Sequence, residues 1–363
     1  MRGKGWRWAA VAALVGVLAG LPTAVGALPA TDSALSAEQL RDRVRASAGV
    51  GWSGTSESRA ALALPDVRDL GDLPALLGGT VRTRVWWRGP TAWRVDEQRV
   101  TGEQDVVVDG GRTRTWTSAD RTVADLYGDL PVRLPRAADL LAPVLGRRLA
   151  GAPDTVLSRL PARRVAGVNA AGLRLVPRDP AASTVAGVDL WADPRTGLAL
   201  QVELRAQGQD RPVLRTLLLD LDRTAPPPGR TRLLAPRGSD VSVDDAPDIA
   251  AQVDRAVPYV LPSRLAGAAR QVVPGLEQAR GVGTYGAGLS AFAVVPLPRD
   301  VADRLSRRLD AAGGSRLSTP LVNALVGRTP RRTYLLVGSV PQDVLDRGLA
   351  ELLRNPPPRT DRR

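Results

Sequence analysis

Between Trp52 and about residue 223, apolar and polar residues alternate in short runs, and this period of two predicts strands. Residues 80–88, TVRTRVWWR, place Val81, Thr83, Val85 and Trp87 on one face and Arg82, Arg84, Trp86 and Arg88 on the other. Gly89-Pro90 turns the chain into TAWRVDE, where Trp93 and Val95 share a face. QDVVVD, the turn Asp109-Gly110-Gly111, RTRTWTS and RTVADLY continue the meander. Strands resume with AAGLRLVP, and VDLWAD and LALQVELRA form a hairpin about residues 193–197. VLRTLLLDLD closes the series. Strands joined by short turns pair antiparallel, so a curved antiparallel sheet is expected.

Elsewhere the period lengthens. Ser36-Ala37-Glu38-Gln39 reads as a capping box opening a short helix, with Leu40 and Val44 on one face. Leu140, Leu141, Val144, Leu145 and Leu149 form a helical stripe suited to covering the sheet. Residues 225–247, beginning Ala225-Pro226-Pro227-Pro228-Gly229, carry no periodicity and read as a linker. Beyond it, residues 248–354 suggest the order β-β-α-β-β-α, with one helix from Arg299 to about Ala312 (Val301, Leu305, Leu309) and a last one over VPQDVLDRGLAELLR. Residues 355–363 are a basic tail. The expected fold class is α+β: a curved antiparallel half-barrel sheet over 36–224 covered by helices, plus a small C-terminal α+β domain.

The first 30 residues add a compartment. Arg2, Lys4 and Arg7 precede an apolar run from Ala9 to Leu21, and Val25-Gly26-Ala27 offers a small-residue cleavage site. Residues 1–27 are therefore expected to be a secretory signal or, uncleaved, an N-terminal anchor. The protein is expected to be extracytoplasmic, secreted across the cytoplasmic membrane or tethered to it.

Composition then removes chemistry. The 363-residue chain has no histidine and no cysteine, and Lys4 is its only lysine. Catalytic triads, thiol nucleophiles, imidazole bases and thiolate metal clusters are excluded, leaving carboxylate pairs as the remaining route to catalysis. No enzyme, cofactor or resident metal is expected. Of the net charge of +13, three units lie in the leader and three in the 354–363 tail, which leaves +7 on the body. Outside the cytoplasm this charge suits an anionic membrane surface or an acidic partner, and nucleic acid is not an expected partner.

Few motifs carry chemistry. Gly281-Val-Gly283-Thr-Tyr-Gly286 matches a dinucleotide-binding pattern, but it runs into the strand LSAFAVV where that motif must open a helix. Asp240, Asp244, Asp245 and Asp248 lack the spacing of a calcium loop and read as an acidic linker. Asp96 and Glu97 are strand neighbours on opposite faces and cannot share a proton-transfer role. The tryptophans say more: Trp52, Trp86, Trp87, Trp93, Trp116 and Trp191 all fall in the first unit. A Trp-bearing inner face either fills a core or lines a concave apolar cavity.

VWWRGPTAWRVDEQRVTGEQDVVVDGGRTRTWTSADRTV resembles the strand-turn-strand core of the LolA-like lipoprotein-carrier superfamily, and VDLWADPRTGLALQVEL resembles that family's later hairpin, with Ala199 where proline is frequent. VGTYGAGLSAFAVV and TYLLVGSVPQDVLDRGLAELL are similar to the small C-terminal domain of the RseB/MucB-type sigma-E regulators. The resemblance covers roughly residues 48–354. It implies a half-open barrel that binds a lipid or lipidated ligand, and a smaller domain that meets the extracytoplasmic segment of an anti-sigma factor. The family supplies no catalytic residues. Strand parity and the helical stripe nominate Val85, Trp87, Trp93, Val95, Trp116, Leu140, Val144, Leu173, Leu175 and Trp191 as the ligand cavity. Tyr285, Phe292 and Tyr334 are the expected partner-binding residues. The other reading is a membrane-tethered accessory or interaction module with a filled core, serving for instance an ABC transporter.

Overall fold

The structure is a computed structural model. It describes residues 29–62, 72–99, 102–128, 133–245, 259–272, 277, 280–297, 303, 307, 315–328 and 333–358. The leader, Asp248, residues 359–363 of the 355–363 tail and the 299–312 helix lie outside the described residues, Asp303 and Arg307 excepted.

The chain opens with helix α1 (Ala37–Ala46), started by the expected capping box: Gln39 N–H donates to Ser36 Oγ at 3.1 Å, and Ser36 N–H donates to Gln39 Oε1 at 2.9 Å. Its Leu40 and Val44 are fully buried. There follow β1 (Trp52–Ala60), α2 (Leu73–Gly78), β2 (Thr80–Gly89), β3 (Ala92–Arg99), β4 (Gly102–Asp109), β5 (Arg112–Thr117) and β6 (Thr122–Tyr127). After a 3-10 turn at Ala137–Leu140 comes α3 (Ala142–Ala150), then β7 (Thr155–Val165), β8 (Val168–Pro177), β9 (Val185–Ala192), β10 (Ala199–Ala206), β11 (Leu214–Leu218) and β12 (Asp240–Asp245). These strands form one twelve-stranded sheet in the order β12-β6-β5-β4-β3-β2-β1-β11-β10-β9-β8-β7. It is antiparallel except at β12, which pairs in parallel with β6.

The concave face carries the core. Leu173 pairs with Leu190 and Leu190 with Val202, and this wall buries Leu40 and Val44 of α1. On the other half Val85 pairs with Val95 and Trp87 with Trp93, whose rings stack at 5.8 Å. The stripe expected over 135–150 is broken at Leu141, between the 3-10 turn and α3, whose first turn carries Pro143.

The opposite face is a lattice of arginine–carboxylate pairs. Glu57 receives Arg59 and Arg82, Asp125 receives Arg112 and Arg114, and Asp189 receives Arg174 and Arg205. Much of the chain's arginine is thus spent on cross-strand pairing.

The described part of the expected linker, residues 225–245, is bonded to the sheet. Arg88 Nη1 donates to the carbonyl of Pro226 at 2.6 Å, Arg114 to that of Leu233, and Arg121 to that of Arg237 at 2.8 Å. These side chains tie a strap across the outer face of β2–β5, bury Leu233, and deliver the chain to β12. Asp240, Asp244 and Asp245 lie exposed on that strand. Periodicity could not show this, because long-range arginine bonds to backbone carbonyls hold the strap.

A second sheet, β13 (Arg264–Leu265), β14 (Ala268–Gln271), β15 (Gly283–Tyr285), β16 (Phe292–Leu297), β17 (Arg316–Ser318), β18 (Asn323–Arg328) and β19 (Thr333–Gly338), has the order β13-β14-β15-β16-β19-β18-β17 and packs against α4 (Gln342–Arg354). The glycine-rich motif at 281–286 spans β15 and the turn into β16. The two sheets meet at Ser183 and Thr184, whose hydroxyls donate to the carbonyls of Leu289 and Leu321 at 2.6 Å. Leu289 and Leu321 join the apolar cluster of Leu173 and Leu175.

Candidate ligand cavity

The concave face is filled at its centre. Trp52, Trp87, Trp93 and Leu141 pack with Val85, Val95, Leu200 and Leu218. Trp87 Nε1 donates to the Ala48 carbonyl at 3.1 Å, and Arg147 lies over its ring at 5.3 Å. Toward β3–β5 the packing opens into a cavity of about 390 Å³. Val95, Val106 and Thr115 form its wall, since Val95 pairs with Val106 and Val106 with Thr115 and all three point inward. Leu73 and Leu76 of α2 and Ala137 and Ala138 of the 3-10 turn close it, with Leu134, 46% exposed, at the rim.

The rim is charged and unevenly so. Arg99 is hydrogen-bonded to Glu97 at 3.0 Å and Asp72 at 2.9 Å; burial works against its charge, but the two carboxylates outweigh it and raise its pKa. Across the cavity Arg133 binds both oxygens of Asp139 at 2.6 and 3.0 Å. Burial pushes the Asp139 carboxyl up, yet the Arg133 bonds and the Arg136 N–H overcome this and hold it below the usual range. Arg136 also lines the cavity, and its half-buried guanidinium has no ion pair among the described residues. Desolvation, then the neighbouring Arg133, lower its pKa, and the charge of Asp139 only partly offsets them.

The nominated residues divide between this cavity and the core. Val95 alone of the ten lines the cavity. Val85, Trp87 and Trp93 lie in the packed centre with Val144 against them, Leu140 is buried beside Leu76 and Ala137, and Leu173 and Leu175 pack beneath α1. Trp116 and Trp191 require correction. Counting outward from the Gly110-Gly111 turn, Val106 meets Thr115 and Asp105 meets Trp116, so Trp116 faces the arginine lattice. Trp191 alternates with Leu190 and faces out, where Arg163 lies 3.7 Å from its ring centre and the Pro161 carbonyl accepts from Nε1 at 3.0 Å. A register shift in β7 between Leu160 and Arg163 folds that strand over the ring. Gly172 is needed there, because a Cβ would come 2.9 Å from Nε1.

Tyr285, Phe292 and Tyr334 are interior residues, 0–2% exposed. Tyr285 stacks on Phe292 at 5.4 Å and donates its hydroxyl to the Pro262 carbonyl at 2.8 Å. Their rings hold the second core together and present no surface.

Two things were not readable beforehand. The cavity arises where α2 and residues 133–138 stand off the sheet, which no period encodes. The second is a carboxylate pair: Asp96 lies directly opposite Asp105 on the outer face. Both accept from Arg94, at 2.5 and 2.8 Å, and Glu103 brings a third carboxylate within 4.8 Å. Burial, then Asp96, push the Asp105 carboxyl up to about 7. Arg94 already supplies the positive charge that a cation would bring.

Among the described residues no helix is long and apolar enough to cross a membrane. No family model and no curated protein matches the chain. Solved structures do. The complex of MucA and MucB from Pseudomonas aeruginosa is similar at 20% identity over 86% of this chain and 96% of that chain, with a TM-score of 0.48. A LolA superfamily protein from Nitrosomonas europaea is similar at 15% identity over 52% of this chain and 92% of its own, with a TM-score of 0.23. A putative outer membrane lipoprotein-sorting protein domain from Vibrio parahaemolyticus gives 12% identity, 52% and 91% coverage, and a TM-score of 0.23.

Proposed function

We propose that this is an exported, non-enzymatic protein that binds a lipid or lipidated ligand in the cavity and regulates an extracytoplasmic segment of an anti-sigma factor. The observation that carries the ligand half is the cavity itself: about 390 Å³, walled by Val95, Val106, Leu73, Leu76 and Ala138, at the margin of an otherwise packed concave sheet. That volume lies within the range of small-ligand sites. The partner half rests on the sequence resemblance of 282–295 and 333–353, and the leader supports export.

Energetics favour reversible holding. Burying ten methylenes is worth roughly 8 kcal/mol at about 0.8 kcal/mol each. Association costs about 4 kcal/mol or more, so one chain binds weakly to moderately. A sensor or carrier needs such release.

The test narrows the cavity from its wall. Thr115→Phe projects a ring inward beside Val106, and binding of a dodecanoyl amphiphile, followed by calorimetry, is expected to fall about tenfold or more. Unchanged affinity would move the ligand elsewhere.

A second reading, the tethered interaction module, is favoured by the packing of Trp52, Trp87 and Trp93 at the centre of the sheet. It expects no acyl binding, an uncleaved N-terminus and co-purification with a membrane complex.

A further inference from the structure

Resting on the reading of the cavity as an acyl site, the charges around it define the ligand's other end. Arg99 is matched by Glu97 and Asp72. Asp139 is the carboxylate of the opposite rim: Arg133 takes both of its oxygens, the Arg136 backbone N–H takes one of them, and Arg148 stands 4.0 Å away. Arg136 thus lines the cavity, half-buried, and its guanidinium has no carboxylate oxygen within 4.0 Å among the described residues. Asp139 favours this charge only from beyond ion-pair distance; a desolvated cation with no close ion pair is costly, and the cost is relieved by any anion that enters beside it. Its planar fork suits a carboxylate or phosphate.

We infer that the cavity selects single-chain amphiphiles with an anionic headgroup, and that Arg136 is the residue that pairs with that headgroup. The chain lies against Val95, Val106, Leu73 and Leu76, and the headgroup sits at the Arg133–Arg136 rim. Asp72 and Glu97 on the far rim repel an anion and so fix the orientation.

Calorimetric titration of the full chain with dodecanoate, dodecyl phosphate and the neutral monododecanoylglycerol tests this. The anionic probes are expected to bind at least tenfold more tightly than the neutral one, the gain of a charge-assisted hydrogen bond. Arg136→Gln should abolish that preference while leaving the neutral probe's affinity unchanged, and Arg136→Lys should restore part of it. The neutral probe doubles as a folding control. Equal affinity for all three probes in the natural protein, or a preference surviving in Arg136→Gln, overturns the headgroup assignment and leaves the acyl site standing. Binding of none of them overturns both. Comparison of the two anionic probes tells a carboxylate ligand from a phosphate.

Discussion

Replacing Asp105 by asparagine should stabilise the protein, and increasingly so as pH rises. On the outer face Glu57, Asp125 and Asp189 each sit between two arginines, whereas Asp96 and Asp105 share Arg94. Asp105 is 4% exposed, and one of its oxygens has no hydrogen-bond partner. Burial and Asp96 push its carboxyl from 3.8 to about 7. Because the folded pKa lies above the unfolded one, the folded protein binds the extra proton. The associated stability is full below about pH 4 and is lost as pH rises to about 7. The shift corresponds to an upper figure of about 4 kcal/mol, and adjustment of Arg94 brings it nearer about 2 kcal/mol. Asparagine keeps an acceptor for Arg94 and carries no charge. Guanidinium unfolding followed by tryptophan fluorescence reports this sheet, since the six tryptophans beyond the leader all lie on its strands. The difference in unfolding free energy between Asp105→Asn and the natural protein should favour the variant by about 0.5 kcal/mol at pH 4.5 and by about 2 kcal/mol at pH 8. Comparison at each pH cancels the paired carboxylates Glu57, Asp125 and Asp189, whose lowered pKa values act in the opposite, acidic direction. A pH-independent difference, or a variant less stable at pH 8, would refute the reasoning.

Two further outcomes concern the frame that holds the cavity. Gly197→Ala should cost about 2 kcal/mol or more in thermal or chemical unfolding, because Gly197 has φ +74° and a Cβ would come 2.1 Å from the Arg43 carbonyl of α1. Arg114→Ala removes both an Asp125 partner and the bond to Leu233, so protease cleavage within 225–239 should accelerate while the concave core stays folded by tryptophan fluorescence. Unaltered cleavage would show that the strap is held otherwise.

Much of this protein was legible in local pattern. The capping box at Ser36, the meander, the inward parity of Val85, Trp87, Trp93 and Val95, and the burial of Leu173 and Leu175 follow from periods of two and 3.6 acting on a buried face. The two misplaced tryptophans mark where that logic stops. Their outward position depends on register: at Trp116 it is counted from a two-residue turn, and at Trp191 it is sealed by a shift in β7. Strand parity counted without the register places Trp191 inward, but Arg163 and the Pro161 carbonyl satisfy it on the other face.

What tertiary structure alone decided is whatever depends on residues far apart in the chain. Composition established that there is no imidazole or thiol to react, and the leader established a route out of the cytoplasm as the expectation. Neither could pair Asp96 with Asp105, tie residues 225–239 across the sheet by Arg88, Arg114 and Arg121, or leave Arg136 at the cavity with no ion pair among the described residues. Alternation sets which way a side chain points. Only the closing of helices and loops over the sheet sets which of those side chains meet a neighbour and which meet a void, because packing depends on distance in space and the pattern records distance along the chain.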